Sequence, residues 1–220
     1  MLRLFIDGVE KEISSPEKKD YPIELHLVQK SVDRLIDYQV ENLSTEVPLD
    51  KAIELTDSVK TDKFSEGELL YELVSYGVLT RNTRYRRDGK YEEVVYLSYD
   101  RFNDFLTAQR LLDKADDAKG AIKTLIKEKR ELWYYAGILE ALSIIVPEKT
   151  GKELYEVVPE WKNEDYVVES VMKSLLWRKK STIDKKLVDY FNKRMTEQRF
   201  WEFISILIQV GPTVGHYFNA

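Results

Sequence analysis

Apolar positions along the chain change period several times, and each change marks an element. From about Leu25 to Val40, the residues Val28, Val32, Leu35, Ile36 and Val40 recur at the three- and four-residue spacing of one helix face. Pro48 suits a first helical position, and Leu49, Ala52, Ile53 and Leu55 give the helix after it a short apolar stripe. Ser65 and Glu68 have capping-box spacing and predict a third helix, which Gly77 ends in the left-handed region. Val78 and Leu79 then open a strand, and Asp88-Gly89 predicts a two-residue hairpin turn before the second strand. Residues 1 to 24 hold only a short apolar start, Leu2 to Ile6, and a polar loop with Pro16 and Pro22, which reads as a tail or the remnant of a preceding helical domain.

The stretch from Tyr96 to Leu112 divides the chain, because its pattern turns from strand-like to helical in the middle. Asp100 is placed to cap the new helix, and Phe102 and Phe105 are expected to face inward. Beyond it the apolar stripes predict helices over 117–128, 131–146, 151–158, 163–176, 181–195 and 198–210, with Pro147 stopping the second. The fold class expected is mainly α: a winged helix-turn-helix, three helices plus a β-hairpin, over 25–99, then α-solenoid-like helical repeats over 100–220. No polar capping repeat follows the last helix, so the array is expected to be cut short at its C-terminal end.

Composition narrows the class. A chain 43% hydrophobic and 33% charged, with no run near the roughly 18 apolar residues of a membrane span, reads as soluble and without a membrane partner. The absence of cysteine excludes disulfides and thiolate zinc sites and fits the cytoplasm. A net charge of −5 gives the whole protein no electrostatic affinity for nucleic acid.

Candidate chemistry is sparse. The nearest approach to a phosphate-binding loop, Gly151-Lys152, has Val146 in place of the first glycine and Glu153 in place of the hydroxyl. His26 and His216 have no carboxylates at metal-ligand spacing, and the pairs Glu92-Glu93 and Asp116-Asp117 read as solvated charge. No catalytic residue, cofactor or metal is expected. The four tryptophans, Trp133, Trp161, Trp177 and Trp201, read as core, ahead of a concave face that grips a partner.

The sharpest charge feature is a basic hairpin with Arg81, Arg84, Arg86, Arg87 and Lys90. A winged-helix protein touches phosphate with such a wing. The helix before it, however, carries Glu66, Glu68 and Glu72 and no cation from Phe64 to Thr80, so its solvent face repels a duplex. The wing therefore reads as a solvated turn or a contact to an acidic protein surface, ahead of a nucleic-acid contact.

In combination these segments resemble the region after the ATPase core in bacterial antiviral STAND NTPases of the AVAST type. The resemblance is carried by Tyr99, Arg101, Phe102, Asp104, Leu106, Ala108, Leu111 and Leu112, with Phe105 inside the same segment. It continues through Gly137, Glu140, Ala141, Leu142, Pro147, Glu148, Gly151, Glu153 and Leu154, and ends at His216, Phe218, Asn219 and Ala220. Tyr217 stands where proline is common. The resemblance implies a non-catalytic segment, lacking the family's P-loop and effector, that relays between a nucleotide module and a helical sensor of a phage protein. Its expected partners are the rest of such an NTPase or a phage protein. The alternative is a winged-helix nucleic-acid-binding regulator with a helical protein-interaction domain.

Overall fold

A computed structural model describes residues 2–86, 88–127 and 131–193, together with Trp201, Ile204, Ser205 and Ile208. The protein is mainly helical with a small three-stranded antiparallel sheet. It divides into two compact units, Met1–Arg110 and Leu111–Ala220. The division falls some ten residues beyond the 99/100 boundary expected from the sequence.

In the first unit the order is α1 (Leu2–Ile13), α2 (Leu27–Asn42), β1 (Val47–Pro48), α3 (Leu49–Asp57), α4 (Glu68–Ser75), β2 (Leu79–Tyr85) and β3 (Tyr91–Leu97). Residues 2–13 form a helix, where the sequence suggested a tail or the remnant of a preceding helical domain. Ile6, Val9 and Ile13 share one face of α1 and enter the same core as Val28, Val32, Leu35 and Ile36 of α2. The stripe of α2 runs where its spacing places it, although Val40 is only partly buried and Gln39 is buried, donating to the Thr45 carbonyl at 2.6 Å.

Pro48 lies one residue earlier in the architecture than expected. It ends β1, pairing with Val94, and α3 begins at Leu49. Only half of the expected capping box forms: the Ser65 N–H donates to Glu68 Oε2 at 2.8 Å, but Gly67 turns left-handed at φ 72 and α4 starts at Glu68. At the other end Gly77 behaves as its sequence position predicts. With φ 69 it lets its own N–H reach the Val74 carbonyl and the Val78 N–H reach Leu73, the bond pattern that closes a helix through a left-handed residue. The sheet order is β1-β3-β2, with Arg84 directly opposite Glu92 and Tyr85 opposite Tyr91. The hairpin turn is wider than two residues, closed by Arg86 N–H to the Lys90 carbonyl, with Gly89 at φ 82.

Helix α5 (Asp100–Lys114) follows β3 after two residues, and the unit boundary falls inside it. The second unit continues with α6 (Ala118–Leu125), α7 (Ala136–Thr150), α8 (Leu154–Val157), α9 (Asp165–Ser174) and α10 (Lys185–Asn192). Asp117 and Asp184 cap α6 and α10, accepting from the Gly120 and Leu187 N–H groups at 2.7 and 3.0 Å. Pro147 does not stop α7. It sits in the last turn, where it removes one ladder bond, and the helix runs on to Gly151 at φ 67. Gly151 therefore ends a helix where the sequence suggested that one begins, and α9 starts at Asp165, two residues into the span expected over 163–176.

Helices α7 and α9 pack along one another in the same direction. The Ser170 hydroxyl meets the Ala136 carbonyl near the start of α7, and Lys179, beyond α9, pairs with Glu148 near its end. Behind them Tyr155 of α8 stacks on Tyr190 of α10 at 3.8 Å, and Lys123 of α6 lies over the Trp161 ring at 4.0 Å. The helix expected over 198–210 lies largely outside the described residues, as do His216, Phe218, Asn219 and Ala220.

Candidate functional site

The basic hairpin is built by register. Ser98 N–H bonds to the Val78 carbonyl and Arg86 N–H to that of Lys90, so the even-numbered residues of β2 direct their backbone groups at β3. Side chains alternate between the two faces of the strand, and Arg81 and Arg84 accordingly find different partners. Arg84 donates from Nε and Nη2 to Glu92 at 2.9 and 2.7 Å and from Nη1 to Glu46 at 2.9 Å. Arg81 pairs diagonally with Glu93, and Arg86 lies 3.4 Å from both Asp88 and Glu92. The hydrogen bond that Arg81 donates to Glu93 raises the Arg81 pKa, and those donated to Glu92 do the same for Arg84. Lys90 is exposed, and Arg87 lies outside the described residues.

The hairpin is thus a ladder of paired charge more than a bare cationic surface. Glu92 and Glu93, read as solvated charge in the sequence, are the groups that neutralise it. The signal was present: an antiparallel hairpin folding about residue 88 brings 84 opposite 92, so the register alone pairs them. At the tip Tyr85 and Tyr91 are 66% and 76% exposed and meet edge to face at 5.2 Å.

The segment after β3 is organised differently from its expected form. Tyr99, not Asp100, occupies the cap position, its carbonyl accepting from Phe102 and Asn103. Asp100 becomes the first helical residue, still at the end of the dipole that favours a carboxylate. Tyr99 touches Phe5 of α1 edge to face at 5.8 Å and Phe102 at 5.2 Å. Phe105 is 37% exposed, Phe102 and Asp104 are half-buried, and Arg101 is exposed. The buried positions of α5 are Asn103, Thr107, Ala108 and Leu111, and Arg110 holds Asp37 of α2 with Nε 2.9 Å from Oδ1.

In the second unit a buried ion pair stands out. Both guanidinium Nη atoms of Arg178 donate to the Glu153 carboxylate at 2.7 Å, and its Nε donates to Ser174 Oγ at 2.8 Å. Burial pushes the Glu153 carboxyl above its ordinary range, and the Arg178 bonds oppose that shift. Each nitrogen of the fork has a partner, so the pair closes a helix junction. Gly151, Lys152 and Glu153 thus form the end of α7 and its exit, with no phosphate cradle.

Of the four tryptophans only Trp161 is core. Trp133, Trp177 and Trp201 are more than half exposed, and Trp133 forms an edge-to-face row with Tyr134 and Tyr135 at 5.8 and 4.9 Å. Among the described residues no three His, Asp or Glu side chains gather to hold a metal ion, and no helix is long and apolar enough to cross a membrane. Compared with known proteins, the chain matches no family model, no curated protein and no solved structure.

Proposed function

We propose that the chain is a non-catalytic, cytoplasmic recognition and relay segment of an antiviral STAND NTPase of the AVAST type, comprising a winged helix and the first helix pairs of a sensor array that contacts a phage protein. The observation that carries this reading is the order α2-β1-α3-α4-β2-β3 with sheet order β1-β3-β2, the order of a winged helix, followed directly by α5 and a run of helices. The second unit supports the array. Helices α7 and α9 run in the same direction, α8 and α10 meet through Tyr155 and Tyr190, and α6 reaches Trp161 through Lys123. Such stacking of successive pairs is how solenoids bury their faces. Exposed aromatics at Trp133 and Tyr134 suit a protein partner.

The nucleic-acid alternative draws on the arginine hairpin but meets two obstacles. Arg81, Arg84 and Arg86 are paired with carboxylates, and α4, which would enter the major groove, carries Glu68, Tyr71 and Glu72 and no cation. The two readings part on one experiment: titration of the purified chain against a panel of purified phage structural proteins and, separately, against duplex DNA at low salt. A saturable protein complex weakened by W133A/Y134A, with no DNA binding, supports the recognition reading. Salt-sensitive DNA binding lost in R86A/R87A, with no protein complex, overturns it.

A further inference from the structure

We propose that the outer edge of β2 is a docking site for an extended, carboxylate-bearing segment of a partner protein, which adds to the sheet as a fourth strand. The proposal rests on the protein-recognition reading above and names the chemistry of one partner segment. Strand β2 is an edge: β3 lies on one side, and among the described residues no strand pairs with the other. Because the even-numbered residues face β3, the backbone groups of Arg81, Thr83 and Tyr85 point outward. The N–H groups of Arg81 and Tyr85 meet no acceptor among the described residues, and that of Thr83 is held by the neighbouring Asn82 Oδ1 at 2.8 Å. Arg81 to Tyr85 spans roughly 13 Å of ladder, so about five residues of partner strand can register on it.

Charge selects the occupant. From Leu79 to Arg87 the chain has four arginines and no carboxylate; every acid that pairs with them comes from β3, the turn or Glu46. Arg81 and Arg84 project from opposite faces of the strand, so an added strand with carboxylates at alternating and adjacent positions meets one cation on each face. Those pairs are exposed and individually weak, so a second carboxylate can share or exchange a guanidinium at little cost. The arginines also disfavour a basic strand, which converts protection against aggregation into selectivity.

The test uses the whole chain and a fluorescein-labelled peptide with acids on both faces, acetyl-Thr-Glu-Val-Asp-Glu-Val-Thr-amide, followed by anisotropy at about 50 mM and about 300 mM salt. Saturable binding that weakens with salt is expected. Thr83→Pro removes the central outward N–H without touching the β2–β3 ladder, and should weaken binding about tenfold or more. A peptide N-methylated at alternate backbone positions should lose binding to the unaltered protein, which keeps the test decisive if T83P melts early by circular dichroism. No binding at low salt, or equal binding of the methylated peptide and of T83P, overturns the proposal. So does displacement of the peptide by single-stranded or duplex DNA whose own affinity T83P leaves unchanged. Peptide binding with no phage-protein complex would sink the parent reading alone, and a phage-protein complex unaffected by T83P would sink this one alone.

Discussion

Glu10 caps Val28 from a different helix: its Oε2 accepts the Val28 N–H at 2.7 Å while Oε1 accepts those of Leu27 at 2.8 Å and the Tyr21 hydroxyl at 2.8 Å. The carboxylate is 2% exposed and satisfies the first turn of α2, whose own preceding residue, His26, offers no side-chain cap. Burial, with Glu10 beside it, pushes the Tyr21 hydroxyl pKa up. Glu10→Gln keeps one acceptor and turns an amide N–H toward a donor, so one backbone N–H of α2 is left buried and unmet. The expected cost is about 1–3 kcal/mol, read by urea unfolding, and Tyr21→Phe should cost less, about 1 kcal/mol.

This contact also marks the limit of what the sequence shows. Helix α2 was legible because its five apolar positions share one face, whereas its cap comes from 17 or 18 residues away. Helix α1 was missed because Ile6, Val9 and Ile13 are interrupted by Gly8 and by Glu10, a charge that reads as solvent-facing yet is buried. The hairpin was visible in its strands, but counting its cations without pairing them across the register hid the ladder with Glu92 and Glu93. Tryptophan identity likewise says nothing of side-chain direction: Trp161 is buried and Trp133 exposed, both near helix junctions.

Carboxylates held by lysines set the acid limb of stability. The hydrogen bond from Lys19 lowers the Glu68 carboxyl below its ordinary 4.5, and that from Lys123 does the same for Glu160. A carboxyl lowered in the folded state stabilises the fold above its unfolded value, and the contribution disappears as pH falls through the folded value. Unfolding free energy should therefore fall below pH 4.5. Lys19→Met and Lys123→Met should each flatten that limb, measured by urea melts between about pH 6 and about pH 3.

Removing the acids of the hairpin should expose its cations. With Glu92→Gln and Glu93→Gln together, among the described residues Arg81 keeps no carboxylate partner and Arg84 keeps only Glu46. Elution from a heparin column should move to higher salt, while stability should change by roughly 0.2–1 kcal/mol for each exposed pair. An unchanged elution position would mean that the pairs do not mask the arginines.

The Glu153–Arg178 pair makes a sharper energetic prediction. The Arg178 side chain is fully buried and that of Glu153 is 8% exposed, so deleting one partner leaves a charge without water or counter-ion. Arg178→Ala should destabilise the second unit by about 3–5 kcal/mol, visible as faster hydrogen exchange in α8 and α9. The double variant E153L/R178M should recover much of that loss, because two apolar side chains of similar volume need no solvation. Glu153, raised by burial, opposes stability as pH rises through its folded value, so at neutral pH the double variant escapes a cost that the native pair carries.

Gly77 gives the cleanest test of backbone against side chain. Its φ is 69, and a Cβ built there would meet nothing within 4 Å, so a substitution introduces no steric clash with the surroundings. What changes is conformational preference, since an alanine in the left-handed region costs about 1–2 kcal/mol. Gly77→Ala should therefore destabilise the first unit by that amount, and Gly77→Asn by less, because asparagine visits this region more readily. The two bonds that depend on the turn, Gly77 N–H to Val74 and Val78 N–H to Leu73, should both exchange faster in the alanine variant. If alanine and asparagine prove equally costly, the loss comes from somewhere other than the left-handed turn, and the helix-to-strand exit from α4 into β2 is held by the burial of Val78 and Leu79 instead.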